Sequence, residues 1–188
     1  MQENKTKTKI CQVTMHYLPI SGGQQVYIDN LNKILVENNF DASVLQRKVK
    51  QKNNTGTKIF FVTQIPRYFL LHPFIYNAGW FAFNIGLFLS KKILKDQDIL
   101  ICHYPFHYPP LKWHKKVIII SHGVLWSNTK KNVFFDIYHK YISKHLKNKD
   151  VFIVANDTNF LREIGYSVEP GKNMFSEVKK MFGLYQIV

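Results

Sequence analysis

Short apolar runs alternate along this chain with stretches in which apolar side chains recur every three or four positions. Runs at Ile10–Thr14, Ser43–Gln46, Lys58–Thr63, Asp98–Cys102, Val117–Ser121 and Val151–Ala155 read as strands. The runs ending at Cys102 and Ser121 are continuously apolar, as strands covered on both faces of a parallel sheet must be. Between the first two strands, residues 24–37 place Ile28, Leu31 and Leu35 on one face of a helix that stops near Asn38 and Asn39. A second helical stretch covers roughly residues 132–147. Strands and helices in this order predict a doubly wound α/β sheet.

The segment between Arg67 and Lys91 breaks the pattern. Its 23 residues contain no Lys, Arg, Asp or Glu and include Trp80 and a cluster of phenylalanines. Length and lack of charge would allow it to cross a bilayer. His72, Pro73, Asn77, Asn84, Gly79 and Gly86 speak against that, as does its position between sheet strands. Two other readings are a helix packed in the core and one lying in a membrane interface beside the lysines. The favoured expectation combines them, with one face on the sheet and the other against lipid.

With 188 residues, 46% of them apolar and 20% charged, the chain has enough core for one folded domain and is not disordered. The formal net charge of +14 is unusual. Basic residues gather at Lys5, Lys7 and Lys9, from Arg47 to Lys52, at Lys91 and Lys92, from Lys112 to Lys116, and from Lys140 to Lys149. Such a field attracts polyanions, whether phosphates, an anionic membrane or nucleic acid. Nucleic acid is not expected, because the aromatics cluster in one apolar run instead of interleaving with the basic residues. The two cysteines, Cys11 and Cys102, sit in strands and read as buried thiols of a reducing compartment. The polar N-terminus has no apolar leader core, so a cytoplasmic protein is expected, with peripheral contact at the inner face of the cell membrane left open.

Ligands of open α/β sheets bind beyond the carboxyl ends of the strands, and polar residues collect there. Gly22 and Gly23 follow the first strand and precede a helix, where φ > 0 would let a ligand approach and helix N–H groups would face an anion. His103 follows the fourth strand and His122 the fifth, while Asn156 and Asp157 follow the sixth. Each has a plainer explanation: a turn for the glycine pair, a satisfied strand-end histidine for His103, a helix cap for Asn156. Their convergence is more informative than any one of them. His103 and His107 stand four apart, but Pro105, Pro109 and Pro110 argue against a helix that would align them, and no metal site is expected.

The run Val13-Thr-Met-His-Tyr-Leu-Pro-Ile-Ser-Gly-Gly-Gln-Gln-Val-Tyr-Ile-Asp-Asn-Leu resembles the opening of family-4 glycosyltransferases of GT-B fold. So do Asp98-Ile-Leu-Ile-Cys-His-Tyr-Pro, Ile120-Ser-His-Gly-Val-Leu-Trp and Val154-Ala-Asn-Asp-Thr-Asn-Phe, in the same order, across roughly residues 9–166. The resemblance implies a Rossmann-like, mainly parallel sheet forming the N-terminal half of a GT-B enzyme. It implies transfer of a sugar, with retention, from a nucleotide-sugar to a glycan or lipid acceptor, with no metal and no cofactor besides that donor substrate. By carry-over, His122 is the catalytic contact to the donor sugar. Gly22 and Gly23 approach the donor phosphate and the acceptor, and His103 and Asn156 line the cleft. Two departures stand out. Gln24 and Gln25 occupy the place where family members often carry an acidic residue. Against the family pattern these residues are expected to lack the donor-binding domain, and the expected organisation is a basic tail over residues 1–8 and a Rossmann-like acceptor-side domain over residues 9–188. Little turnover is expected without a separately supplied donor domain. The runner-up expectation is a non-catalytic basic module held at an anionic membrane by Arg67–Lys92.

Overall fold

A computed structural model of the chain describes residues 6–50, 55–64, 78–122, 133–146 and 151–155. Six strands carry the architecture: β1 (Lys9–Val13), β2 (Asp41–Gln46), β3 (Lys58–Phe61), β4 (Ile99–Cys102), β5 (Val117–Ser121) and β6 (Val151–Ala155). They form one sheet in the order β3-β2-β1-β4-β5-β6, with every neighbouring pair parallel. That order, with the chain reversing direction across the sheet between β1 and β4, is the Rossmann arrangement. The expected doubly wound α/β fold is what the chain forms.

Helices cover both faces. Leu31 and Leu35 of α1 (Gly23–Glu37) pack on Ile10, Ile101 and Ile120, and Ile28 packs on Val44 and Tyr17. On the opposite face, Phe83 and Leu87 of α2 (Ala78–Leu89) meet Cys11, Val13, Leu100, Cys102 and Ile119. Leu94 of α3 (Lys91–Lys95) and Ile142 and Leu146 of α4 (Val133–Leu146) complete that layer. Burial pushes both cysteine thiols up to about 12, so they are neutral and unreactive at physiological pH.

Local chemistry explains where α1 ends. Asn39 takes φ 65°, a left-handed conformation that asparagine tolerates, while Asn39 N–H bonds to Val36 O and Phe40 N–H to Leu35 O. These two bonds close the helix on its last free carbonyls. The inward face of α1 differs from expectation. Asp29 and Asn32 are buried beside Ile28, whereas Leu31 and Leu35 are only half-buried. The sheet surface beneath α1 is itself partly polar, so the helix turns matching polar groups toward it. Around the three prolines the chain makes no α-helix, but it does make two short 3-10 turns, Pro105–His107 and Pro109–Leu111.

Within the apolar segment, only α2 and the turn into α3 fall among the described residues; residues 65–77, including His72, Pro73 and Asn77, lie outside them. Among the described residues, no helix is long and apolar enough to cross a membrane. Asn84 is fully used: its amide nitrogen donates to Phe106 O and Tyr138 Oη, and its oxygen accepts from His107 Nδ1 at 2.7 Å. Gly86 permits a close crossing, since a Cβ there would stand 2.6 Å from the Thr63 carbonyl oxygen. Gly86→Ala is therefore expected to destabilise the fold: overpacking of about 1–3 kcal/mol exceeds the ~1 kcal/mol gain in helix propensity. Urea unfolding measures it, and an unchanged midpoint would mean that α2 shifts freely.

Candidate functional site

The carboxyl ends of β1, β4 and β5 lie side by side, and the residues after them meet. Side chains alternate faces along a strand, so Gln12, His103 and His122 all project toward the α1 side of the sheet. His103 N–H bonds to Val13 O at 3.0 Å, which extends the β1–β4 ladder by one step and fixes the ring's position. His103 Nδ1 and His122 Nε2 lie 3.0 Å apart, with the rings inclined by 21°. Tyr27 of α1 stands edge-on to both, its ring centre 5.0 Å from that of His122. Gln24, in the first turn of α1, reaches the His103 carbonyl with its amide nitrogen at 3.4 Å.

Gly22 caps α1 in extended geometry (φ −140°, ψ 168°) without a side-chain cap. The first intrahelical bond runs from Val26 N–H to Gly22 O, so the amides of residues 23–25 have no acceptor inside the helix. The positive φ anticipated for Gly22 and Gly23 is not used; among the described glycines only Gly56 adopts one, at 71°. The pair matters for space. A Cβ on Gly22 would stand 2.8 Å from Gln25 Oε1, and one on Gly23 would meet nothing within 4 Å. The loop leading to Gly22 is pinned from below, because Gln46 Oε1 accepts both Tyr17 N–H and Leu18 N–H at 2.9 Å.

Gly22, Gly23, His103 and His122 thus come together at one edge, at the switch point between β1 and β4. Asn156, Asp157 and Gly123 lie outside the described residues, although β6 ends at Ala155 on the same edge. His107 does not join them. It turns to the other face of the sheet, fully buried against Phe83 with Asn84 as partner. Among the described residues, no group of three His, Cys, Asp or Glu side chains is placed to hold a metal ion. A cavity of about 420 Å³ bounded by Thr6, Lys7, Lys9, Val36, Phe40, Asp41 and Ala42 opens at the opposite, amino ends of β1 and β2.

Burial sets the electrostatics. Desolvation pushes His103 down to about 3, with the neighbouring His122 adding to it, and burial lowers His122 as well. Both rings are neutral at physiological pH, so this edge offers hydrogen bonds and helix N–H groups instead of a fixed cation. Behind the histidines runs a buried polar chain that was not anticipated from the sequence. Gln12 links His103 to Asn32 and the Ile28 carbonyl, and Asn32 links on to Thr57. Tyr17 donates to Asp29 at 2.7 Å, and Asp29 pairs with Lys33 at 2.8 Å. Burial alone would raise the Asp29 carboxyl, but Lys33 and the Tyr17 hydroxyl outweigh it and hold it below its ordinary value. The available signal was Gln12, a polar residue inside an apolar strand, with Asn32 and Asp29 interrupting the apolar face of α1.

The sequence matches no family model and no curated protein. Among solved structures, the chain is similar to one from Methylobacillus flagellatus described as a putative NAD-dependent epimerase/dehydratase, at a TM-score of 0.39 and 9% identity. The match covers 79% of this chain and 53% of that one, so the chain spans about half of that structure's length.

Proposed function

We propose that this domain is the acceptor-side half of a retaining family-4 glycosyltransferase of GT-B architecture. It would move a sugar from a nucleotide-sugar to a glycan or lipid acceptor in concert with a donor-binding domain. The observation that carries this reading is the meeting of His103 and His122 beside the start of α1, at the switch point of a parallel sheet. In this reading the first-turn amides of α1 and the open space over Gly23 receive phosphate, His122 bonds the sugar, and His103 and Asn156 line the cleft. Preorganised donors of this kind stabilise a departing diphosphate without a metal.

Nuclear magnetic resonance titration with UDP-, GDP- and ADP-linked sugars tests it. The amides of Gly22 and Gly23 and the ring of His122 are expected to shift, and His122→Ala to weaken binding about tenfold, the worth of one hydrogen bond to a buried site. Titrations in which none of these signals moves, or in which His122→Ala changes nothing, would sink the proposal.

A second reading has its own observation. Phe81, Ile85, Phe88 and Leu89 form one exposed stripe along α2, directly before Lys91, Lys92 and Lys95. An apolar stripe flanked by lysines suits a basic module docked on an anionic membrane, each lysine adding about 1 kcal/mol near the surface. Sedimentation with vesicles that do or do not contain anionic lipid distinguishes the two readings. Equal recovery in the supernatant with both vesicle types would rule the module out.

A further inference from the structure

The buried chain behind His122 has a direction. The Ile28 carbonyl can only accept a hydrogen bond, and the Gln12 amide nitrogen lies 3.3 Å from it. The same nitrogen lies 3.3 Å from Asn32 Oδ1, while the Asn32 nitrogen donates to Thr57 Oγ1. Turning the Gln12 amide over would set oxygen against oxygen at Ile28, so its nitrogen faces the helix and its oxygen faces His103. That oxygen, 2.9 Å from His103 Nε2, can only accept. His103 therefore carries its proton on Nε2. Its ring is wholly buried and neutral, so Nδ1 holds a lone pair. The proton in the 3.0 Å contact with His122 Nε2 then belongs to His122.

We infer that Gln12 and His103 are positioning residues that hold His122 as its Nε2–H tautomer, so that His122 Nδ1 accepts a hydrogen bond from a ligand hydroxyl or N–H and cannot pair with an ionised phosphate oxygen, which has no proton to give. A phosphate oxygen would bring a lone pair against a lone pair. A phosphorylated sugar would thereby be sorted at this edge, its phosphate to the first turn of α1 and a sugar hydroxyl to His122. That His122 meets a ligand at all rests on the function proposed above; its tautomer does not. Among the described residues, the groups facing His122 are His103 and Tyr27, from β4 and α1, and neither carries a charge near neutral pH.

Nitrogen-15 labelling of the histidines tests the tautomer in the unmodified protein. Near neutral pH, the shared proton should show one-bond coupling to His122 Nε2 and a weak coupling across the hydrogen bond to His103 Nδ1. One-bond coupling to His103 Nδ1 would overturn the inference. Gln12→Met frees His103 to reverse, and the His122 tautomer ratio should change about fivefold, as expected for losing one hydrogen bond. Asn32→Ala leaves the Ile28 carbonyl to orient Gln12, and the ratio should hold. A folded Gln12→Met with the unmodified protein's ratio would also overturn it.

Methyl glucoside and dimethyl phosphate, a diester anion with no O–H to donate, then serve as probes. The glucoside should shift Nδ1 and the diester should not. Protonation of His122 on binding the diester near neutral pH would overturn the acceptor assignment. If neither probe moves Nδ1 while the proton sits on His122 Nε2, the relay stands and the proposed function fails.

Discussion

Acidification from about pH 7 to about pH 5 is expected to remove roughly 4 kcal/mol of folding stability through two buried histidines. Desolvation pushes His103 and His107 down to about 3 in the folded protein, against 6.5 for an unperturbed ring. Between those values the unfolded chain binds a proton at each site and the folded chain does not. Stability is therefore fully present above about pH 6.5 and falls as pH drops below it, by about 1.4 kcal/mol per unit for each ring. The carboxylate of Asp29, held low by Lys33 and Tyr17, acts in the same direction but only below its ordinary 3.8. Against a typical total of about 5–15 kcal/mol, the histidine contribution is large. Urea unfolding across this range measures the slope. His103→Gln keeps a donor toward Gln12, His107→Asn keeps one toward Asn84, and each should remove about half of the slope. A slope that survives in the double variant would place the acid sensitivity elsewhere.

Replacement of Gln12 by leucine should destabilise the fold by roughly 2–4 kcal/mol, more than its size suggests. The change leaves His103 Nε2–H and Asn32 Oδ1 without their partner in a site closed to water. His103→Leu alone strands the Gln12 oxygen in the same way. Changing both to leucine removes donor and acceptor together and should recover about 1–3 kcal/mol relative to the sum of the single changes. His122, half-buried, can turn to water in that variant. Strict additivity in this double-mutant cycle would show that the 2.9 Å contact contributes no coupling.

Four strand ends and the course of α1 are legible from the residues because the signals are local. Val117–Ser121 and Val151–Ala155 have the same bounds in the sequence reading and in the structure, since uninterrupted apolar runs have no competing period. Asn38-Asn39 marks the end of α1 because asparagine tolerates the left-handed turn found there. The role of Gly22 and Gly23 was legible only as position: the glycines suggest positive φ, but the helix begins from extended backbone. Asn84 and Gly86 illustrate the same limit. In sequence they only weaken an apolar run, while in the fold one anchors His107 and the other admits the Thr63 carbonyl.

The sequence by itself determined the fold class, the strand order's raw material and the residues standing at the carboxyl edge, because periodicity and chain breaks are written in near neighbours. Only the tertiary structure decided which of those residues touch and which atom each presents. Gln12 and His103 are 91 positions apart in the chain and meet because β1 pairs with β4 in one register, Gln12 opposite Ile101. A slip of one residue between these two strands would put the two side chains on opposite faces of the sheet. Hydrogen-bond direction depends on such distant pairing, and no local pattern along the chain encodes it.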